Sequence, residues 1–406
     1  MLSTQHALLP PPATSDRRTL APVAQLRRPL LSLLVLLVAA GLLPLTAPPA
    51  DARDLPLSAT AKNAVLQVMT DLRTQSSSTD PRFLRNDVWI DGAPDCFRCF
   101  MGPSVLSAAR GLDSGATDYL AASAIDTLDK AIADHQHVTG AFIPAATGEG
   151  SPGIQTVMFA NELAWTYLIL GRRLDSAHKQ SWAASLTKAA DWLIADGDTT
   201  YYINGNINLA VAMNMDLTAR ITGERRFTTA AQTALDFAIA PPQDKFPGFG
   251  LQYMKTPELG DGSDGAAYFA ESGGATPGFD PAYTMLQTDM ASMWYLLTRK
   301  ASVLRLVNLL YNQLSPRIRT TDWTIDVSGG TRRAAPNTRY GFHGSSVAVL
   351  ALKGGRSDLQ PFVAAQVRAS LTEYGNQTRY TSPGISFNYG LSLTAMYMAV
   401  TSTSGW

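Results

Sequence analysis

Apolar residues return at helical spacing along most of the chain between positions 59 and 401. In the stretch 115–136, Leu120, Ala121, Ile125, Leu128 and Ile132 recur at helical spacing. In 180–196, Trp182, Leu186, Ala189, Trp192 and Leu193 do the same. That rhythm marks an amphipathic helix with one buried stripe. It predicts helices over about 59–76, 103–111, 115–136, 154–171, 175–195, 205–222, 226–240, 281–298, 300–314, 343–354, 358–374 and 386–401. Gly171, Gly223 and Gly354–Gly355 follow apolar runs, where helix C-caps fall. One alternating stretch, 323–327, predicts a short strand ended by Gly329-Gly330.

A dozen helices and almost no strand signal define an all-α protein. Two helices per roughly 50–60 residues read as stacked helical hairpins. An α/α toroid of about six hairpins matches that count, with an open helical solenoid as the alternative arrangement. Connections at 171–175 and 223–226 are tight, whereas 77–102, 140–153, 241–280 and 315–342 are long. Long connections inside a compact helical domain tend to carry function. In a toroid they gather at one mouth and wall a cleft.

The first 52 residues read differently. Arg17-Arg18 and Arg27-Arg28 precede an apolar run from Leu30 to Leu45, and Ala50-Asp51-Ala52 supplies small residues for cleavage. This is the pattern of a secretory signal peptide behind a disordered N-terminal extension, with an uncleaved membrane anchor as the alternative. Positions 53–406 then form a single domain, secreted or periplasmic, that meets a membrane only through its targeting segment. The two cysteines, Cys96 and Cys99, are spaced as a local disulfide in an exported chain, with free thiols, a metal or a redox pair as the other readings. Hydrophobic residues make up 46% of the chain and charged residues 16%, enough apolar material for a large core. Thirty-three basic residues balance thirty-three acidic ones, so no basic field invites nucleic acid.

Polar density concentrates in four places. The segment 260–287, GDGSDGAAYFAESGGATPGFDPAYTMLQ, carries Asp261, Asp264, Glu271, Asp280, Tyr268 and Tyr283 among glycines and prolines. Trp89 and Asp91, with Asp95, mark a second stretch; Tyr201, Tyr202, Asn204, Asn206 and Asn208 mark a third. Arg332, Arg333, Arg339 and His343 mark the fourth. One of Asn204 and Asn206 is expected to cap the helix that follows, leaving the other amide for a ligand. Asp261 and Asp264 read as turn formers or as part of a calcium loop. Asp280 reads as the cap of a helix whose first turn presents Tyr283, either as packing or as a phenol in the cleft. His343, beside Arg339 and Tyr340, is the best general-base candidate. No serine-hydrolase elbow, phosphate loop or zinc-protease helix is present in the sequence, and no cofactor or metal is expected.

The order D-G-S, E-S, Y-T within a loop entering a helix resembles the catalytic face of α/α-toroid polysaccharide lyases of the chondroitin, hyaluronan, alginate and heparin type. The resemblance implies a catalytic tyrosine at Tyr283, a carboxylate-neutralising asparagine at Asn204 or Asn206, and an assisting histidine at His343. It implies that Arg332, Arg333 or Arg339 binds the acidic sugar. Tyr283 would both remove and return a proton if a nearby arginine lowered its pKa. Tyr202, Tyr268, Trp89 and Asp91 join the expected substrate-binding set. A glycoside hydrolase would instead use two carboxylates from Asp91, Asp95, Glu162, Asp264, Glu271 and Asp280. A non-catalytic envelope protein would bind a glycan on Trp89, Tyr201, Tyr202, Tyr253, Tyr268 and Trp294.

Overall fold

The computed structural model describes residues 102–109, 117–143, 152–272, 276–332, 335–376 and 383–401. The described residues belong to one compact unit, Ala50–Trp406. They form eleven α-helices: α1 (Gly102–Ala109), α2 (Thr117–His135), α3 (Pro152–Leu170), α4 (Ser176–Asp196), α5 (Gly205–Thr222), α6 (Arg225–Ile239), α7 (Pro281–Thr298), α8 (Ala301–Leu314), α9 (Ser346–Lys353), α10 (Val363–Asn376) and α11 (Pro383–Thr401). The protein is mostly helical. Helices α5 and α7 begin and end at the residues the sequence pattern predicts, because their ends carry strong local signals. Gly223 takes the left-handed conformation (φ 75°) after α5, and Asp280-Pro281 opens α7. The expected helix over 59–76 lies outside the described residues, as do the targeting segment and both cysteines.

The helices divide into two kinds. Helix α4 buries one stripe, Trp182, Leu186, Ala189 and Leu193, and α6 buries Phe227, Ala231, Ala234 and Ala238. Helices α3, α5, α7 and α9 are buried on every side. The sequence reading expected one amphipathic pattern throughout. The difference has a physical cause: a helix enclosed by neighbours needs no polar face, so its apolar residues spread around the cylinder. The enclosed helices succeed one another as neighbours, α1 beside α3, α3 beside α5 and α5 beside α7; α7 touches α9 and α11, and α11 touches α1. Each of α1, α3, α5, α7 and α9 also packs on the helix that follows it.

The long connections are not structureless. Within 241–280, β1 (Leu251–Lys255) pairs antiparallel with β2 (Ala266–Phe269), Leu251 opposite Phe269. Within 315–342, β4 (Thr324–Asp326) lies between β3 (Ile318–Arg319) and β5 (Arg339–Gly341). The strand expected at 323–327 is β4; its partners are too short to show an alternation of their own. No helix among the described residues is long and apolar enough to cross a membrane.

Candidate active site at the heads of α5 and α7

Asn204 stands immediately before α5 with extended backbone (φ −82°, ψ 120°), yet its side chain makes no capping bond. Its Nδ2 donates instead to Glu271 Oε2 at 3.0 Å. The backbone N–H of Asn206, in the first turn, donates to Glu271 Oε1 at 3.2 Å. The carboxylate of Glu271 thus does from a distant loop what a cap residue normally does locally, satisfying an orphan N–H at the positive end of a helix. The expectation that one asparagine side chain caps α5 is therefore corrected. Glu271 is held by a backbone pair with Gly278, each N–H reaching the other's carbonyl at 2.9 Å. Gly205 lets α5 start against β2, since a Cβ there would fall 2.3 Å from Phe269 Cβ.

Asp280 caps α7 as the sequence predicts, accepting from the Tyr283 N–H at 3.0 Å. Its second oxygen accepts from the Arg332 backbone N–H at 2.8 Å. That bond, with Thr331 N–H to Phe279 O at 3.3 Å, clamps the arginine segment onto the head of α7. The guanidinium of Arg332 consequently lies 4.3 Å from the centre of the Tyr283 ring and 3.6 Å from Glu271 Oε2. Its side chain is 29% exposed, so this cation, unlike Glu271, retains access to solvent. One turn beyond Tyr283, on the same face of α7, Gln287 Nε2 donates to Glu271 Oε1 at 2.9 Å.

Three of the four polar stretches therefore converge. Glu271 is fully buried, and its carboxylate accepts from Asn204 Nδ2, the Asn206 N–H and Gln287 Nε2. Burial pushes its pKa up to about 7, against the pull of Arg332, Asn204, the Asn206 N–H and Gln287. A carboxyl poised there changes charge near neutral pH, which suits acid–base work.

His343 joins a different cluster. Its Nδ1 is 3.2 Å from Ser392 Oγ, whose hydroxyl donates to Asp289 Oδ2 at 2.7 Å. Ser392 has one proton to give, so in this arrangement Nδ1 carries the ring proton and Nε2 is the basic nitrogen. Asp289 also accepts from the N–H and Oγ of Ser345 at 2.6 and 2.9 Å. Burial pushes the Asp289 pKa up to about 7 and that of His343 down to about 4. A third buried acid, Glu162 on α3, accepts from the N–H and Oγ of Ser104 at 2.6 and 2.9 Å, and burial pushes it up to about 8.

The other candidates fall as follows. Arg339 donates to Thr324 Oγ1 and O at 2.8 and 2.9 Å and to Arg317 O at 3.3 Å, knitting the small sheet together. Tyr268 on β2 packs 5.1 Å from Phe279. Tyr202 is turned inward and meets Tyr201 edge-on at 5.3 Å. Trp294 is buried and donates to Asp216 at 2.7 Å, so it lines no groove. Asp261 and Asp264 accept backbone N–H groups of Ser263, Glu258 and Leu259, as turn formers do. Trp89, Asp91, Asp95, Arg333, Cys96 and Cys99 lie outside the described residues. Sequence reasoning missed Gln287, whose only signal is its four-residue spacing from Tyr283, and Asp289, a lone acid in an apolar run. No protein-family model matches this chain, and no curated protein matches its sequence.

Proposed function

We propose that the chain is an exported carbohydrate-active enzyme that cleaves a uronate-containing polysaccharide by β-elimination at Tyr283. The observation that supports this reading is a partly exposed Arg332 guanidinium that lies against the Tyr283 ring and also beside the buried Glu271 carboxyl, to which the Asn204 carboxamide donates. Elimination needs donors for the negative charge that builds on the uronate carboxylate, and Arg332 and Asn204 are such donors. It needs a group to take the proton from the carbon beside that carboxylate and a group to protonate the departing oxygen. In this reading Tyr283 does both in turn; His343, buried with Ser392 and Asp289, takes no part at this site. The carbon–hydrogen and carbon–oxygen bonds break, a carbon–carbon double bond forms, and the leaving sugar oxygen gains a proton.

The architecture we infer is an α/α toroid. The neighbour order α1, α3, α5, α7, α11 and back to α1 supports it, as does the packing of each enclosed helix on an amphipathic one. The helix expected over 59–76 would complete a sixth hairpin. Export rests on the Arg-flanked apolar run of the first 52 residues.

Hydrolysis is the second reading, favoured by the raised pKa of Glu271, the property a general acid requires. Both oxygens of Asp280 are occupied by backbone N–H groups, which argues against it as the partner carboxylate. The test is to incubate the mature protein with a panel of uronate polysaccharides and follow ultraviolet absorbance and new reducing ends together. Elimination raises both; hydrolysis raises only the reducing ends; no change in either across the panel counts against both readings.

A further inference from the structure

Arg332 stands between two neighbours and is bound tightly to neither. Its Nη2 lies 3.6 Å from Glu271 Oε2, beyond hydrogen-bond reach, and its guanidinium sits 4.3 Å from the centre of the Tyr283 ring. Glu271 is wholly enclosed, whereas Arg332 is open to solvent on one side. An arginine keeps its charge at every ordinary pH, so the charge balance of the pair is set by Glu271. The other titratable groups that meet Arg332 among the described residues are Asp280, through the Arg332 N–H, and Tyr283, through its ring.

Glu271 has a hydrogen-bonded place in either charge state. As a carboxylate it accepts from Asn204 Nδ2, the Asn206 N–H and Gln287 Nε2, all neutral donors. Two buried acceptors on the same side chains, Asn206 Oδ1 and Gln287 Oε1, have no hydrogen-bond partner among the described residues. A carboxylic acid needs an acceptor for its proton. Gln287 supplies one by turning its carboxamide over, which puts Oε1 where Nε2 stands. Neutral Glu271 is then satisfied without Arg332. Ionised Glu271 is a buried charge that needs its cation.

We propose that Glu271 governs whether Arg332 is free to receive an anionic group of the substrate. Neutral, it leaves the guanidinium charge uncompensated and open to a carboxylate arriving from solvent; ionised, it takes that charge for itself. This deepens the elimination reading and rests on it, since the arriving group is the uronate carboxylate. Glu271 is in this role a positioning residue that acts through Arg332. Burial pushes its pKa up to about 7, which sets the changeover near neutral pH. The ligand favours protonated Glu271, so affinity falls as pH rises through that value and binding takes up a proton.

The experiment is isothermal titration calorimetry with size-defined oligosaccharides of alginate, pectate and hyaluronan. Tyr283→Phe is the background, so that the ligand is not consumed while a ring stays beneath Arg332. Titrations at pH 6, 7 and 8.5, in two buffers of different ionisation enthalpy, give affinity and proton uptake together. Kd should rise roughly fivefold or more from pH 6 to pH 8.5, the lower end of ordinary coupling between two sites. Proton uptake should appear at pH 7. Adding Glu271→Gln should keep the pH 6 affinity at pH 8.5 and abolish the uptake. Affinity independent of pH, binding at pH 7 without proton uptake, or the same pH dependence in Glu271→Gln overturns the proposal, as does no binding at pH 6. The proton-uptake measurement decides the matter without Glu271→Gln if that variant fails to fold. The parent reading fails separately: pH-gated binding with no unsaturated product from wild type removes elimination and leaves the gate, and product with ungated binding does the reverse.

Discussion

The guanidinium of Arg332 lies 4.3 Å from the centre of the Tyr283 ring while its own backbone N–H is bound 2.8 Å from Asp280, the residue that caps the helix bearing Tyr283. One acid thus fixes both members of the pair, each through its main chain. The side chain of Arg332 also reaches toward Glu271 from that position, 3.6 Å from its Oε2.

Arg332 is the site cation that retains solvent access, so Arg332→Ala should cut turnover of a uronate polymer by about 10²-fold or more, the loss typical of one charge-stabilising donor. Folding should suffer by about 0.5–1 kcal/mol for the partly exposed cation–π contact, and further above pH 7, where buried Glu271 would be ionised without its cation. Paired kinetic and urea-denaturation measurements separate the two. A variant with near-normal turnover counts against Arg332 as the carboxylate's partner.

Asp280→Ala removes a helix cap and the clamp on the 328–332 segment together. It should cost about 1–2 kcal/mol, the upper part of the range for a lost cap, and lower activity beyond what lost stability explains. Asp280→Ser should restore much of the stability, since serine also caps, while doing less for activity because its single oxygen cannot also hold the Arg332 N–H. Equal recovery of both properties would show that the clamp is irrelevant.

Gly205→Ala should destabilise by about 1–3 kcal/mol, the usual cost of forcing a methyl into a packed contact. Its Cβ would fall 2.3 Å from that of Phe269. Because Asn204 and Asn206 flank this position, the same change should disturb Glu271. Thermal denaturation with an activity assay checks both, and an unperturbed Tm contradicts the packing described for α5 on β2.

Much of the frame was legible in the sequence. Helix ends were readable wherever a local device sets them, as at Asp280-Pro281 and Gly223. The distinction between enclosed and amphipathic helices was not, because it depends on which neighbours surround each one. The hairpin of β1 and β2 escaped because five- and four-residue strands paired across ten residues leave little periodicity. At the site, the Asp280 cap follows from local sequence. The departure of the Asn204 side chain to Glu271 does not, since that carboxylate arrives from 67 residues away. Gln287 and the Asp289–Ser392 bond were hidden for the same reason.

Stability should fall as pH rises from about 6.5 to 8. Glu162, Glu271 and Asp289 have folded pKa values raised to about 8, 7 and 7, above their ordinary values of 4.5, 4.5 and 3.8. The folded state therefore binds more protons than the unfolded state across that interval, and raising pH favours unfolding. His178, also raised, acts in the same direction. His343, lowered from 6.5 to about 4, acts oppositely but only between those two values. Tm measured at half-unit steps should decline above pH 6.5, and Glu162→Gln should flatten the decline. A Tm that rises through this window contradicts the burial of these acids.

The most direct measurement is ultraviolet absorbance of the mature protein on uronate polysaccharides, wild type beside Tyr283→Phe. An unsaturated product that accumulates with wild type and is lost with Tyr283→Phe, while the variant keeps the wild-type Tm, is the expected result. Equal product from both proteins, or new reducing ends with no absorbance, contradicts elimination at Tyr283.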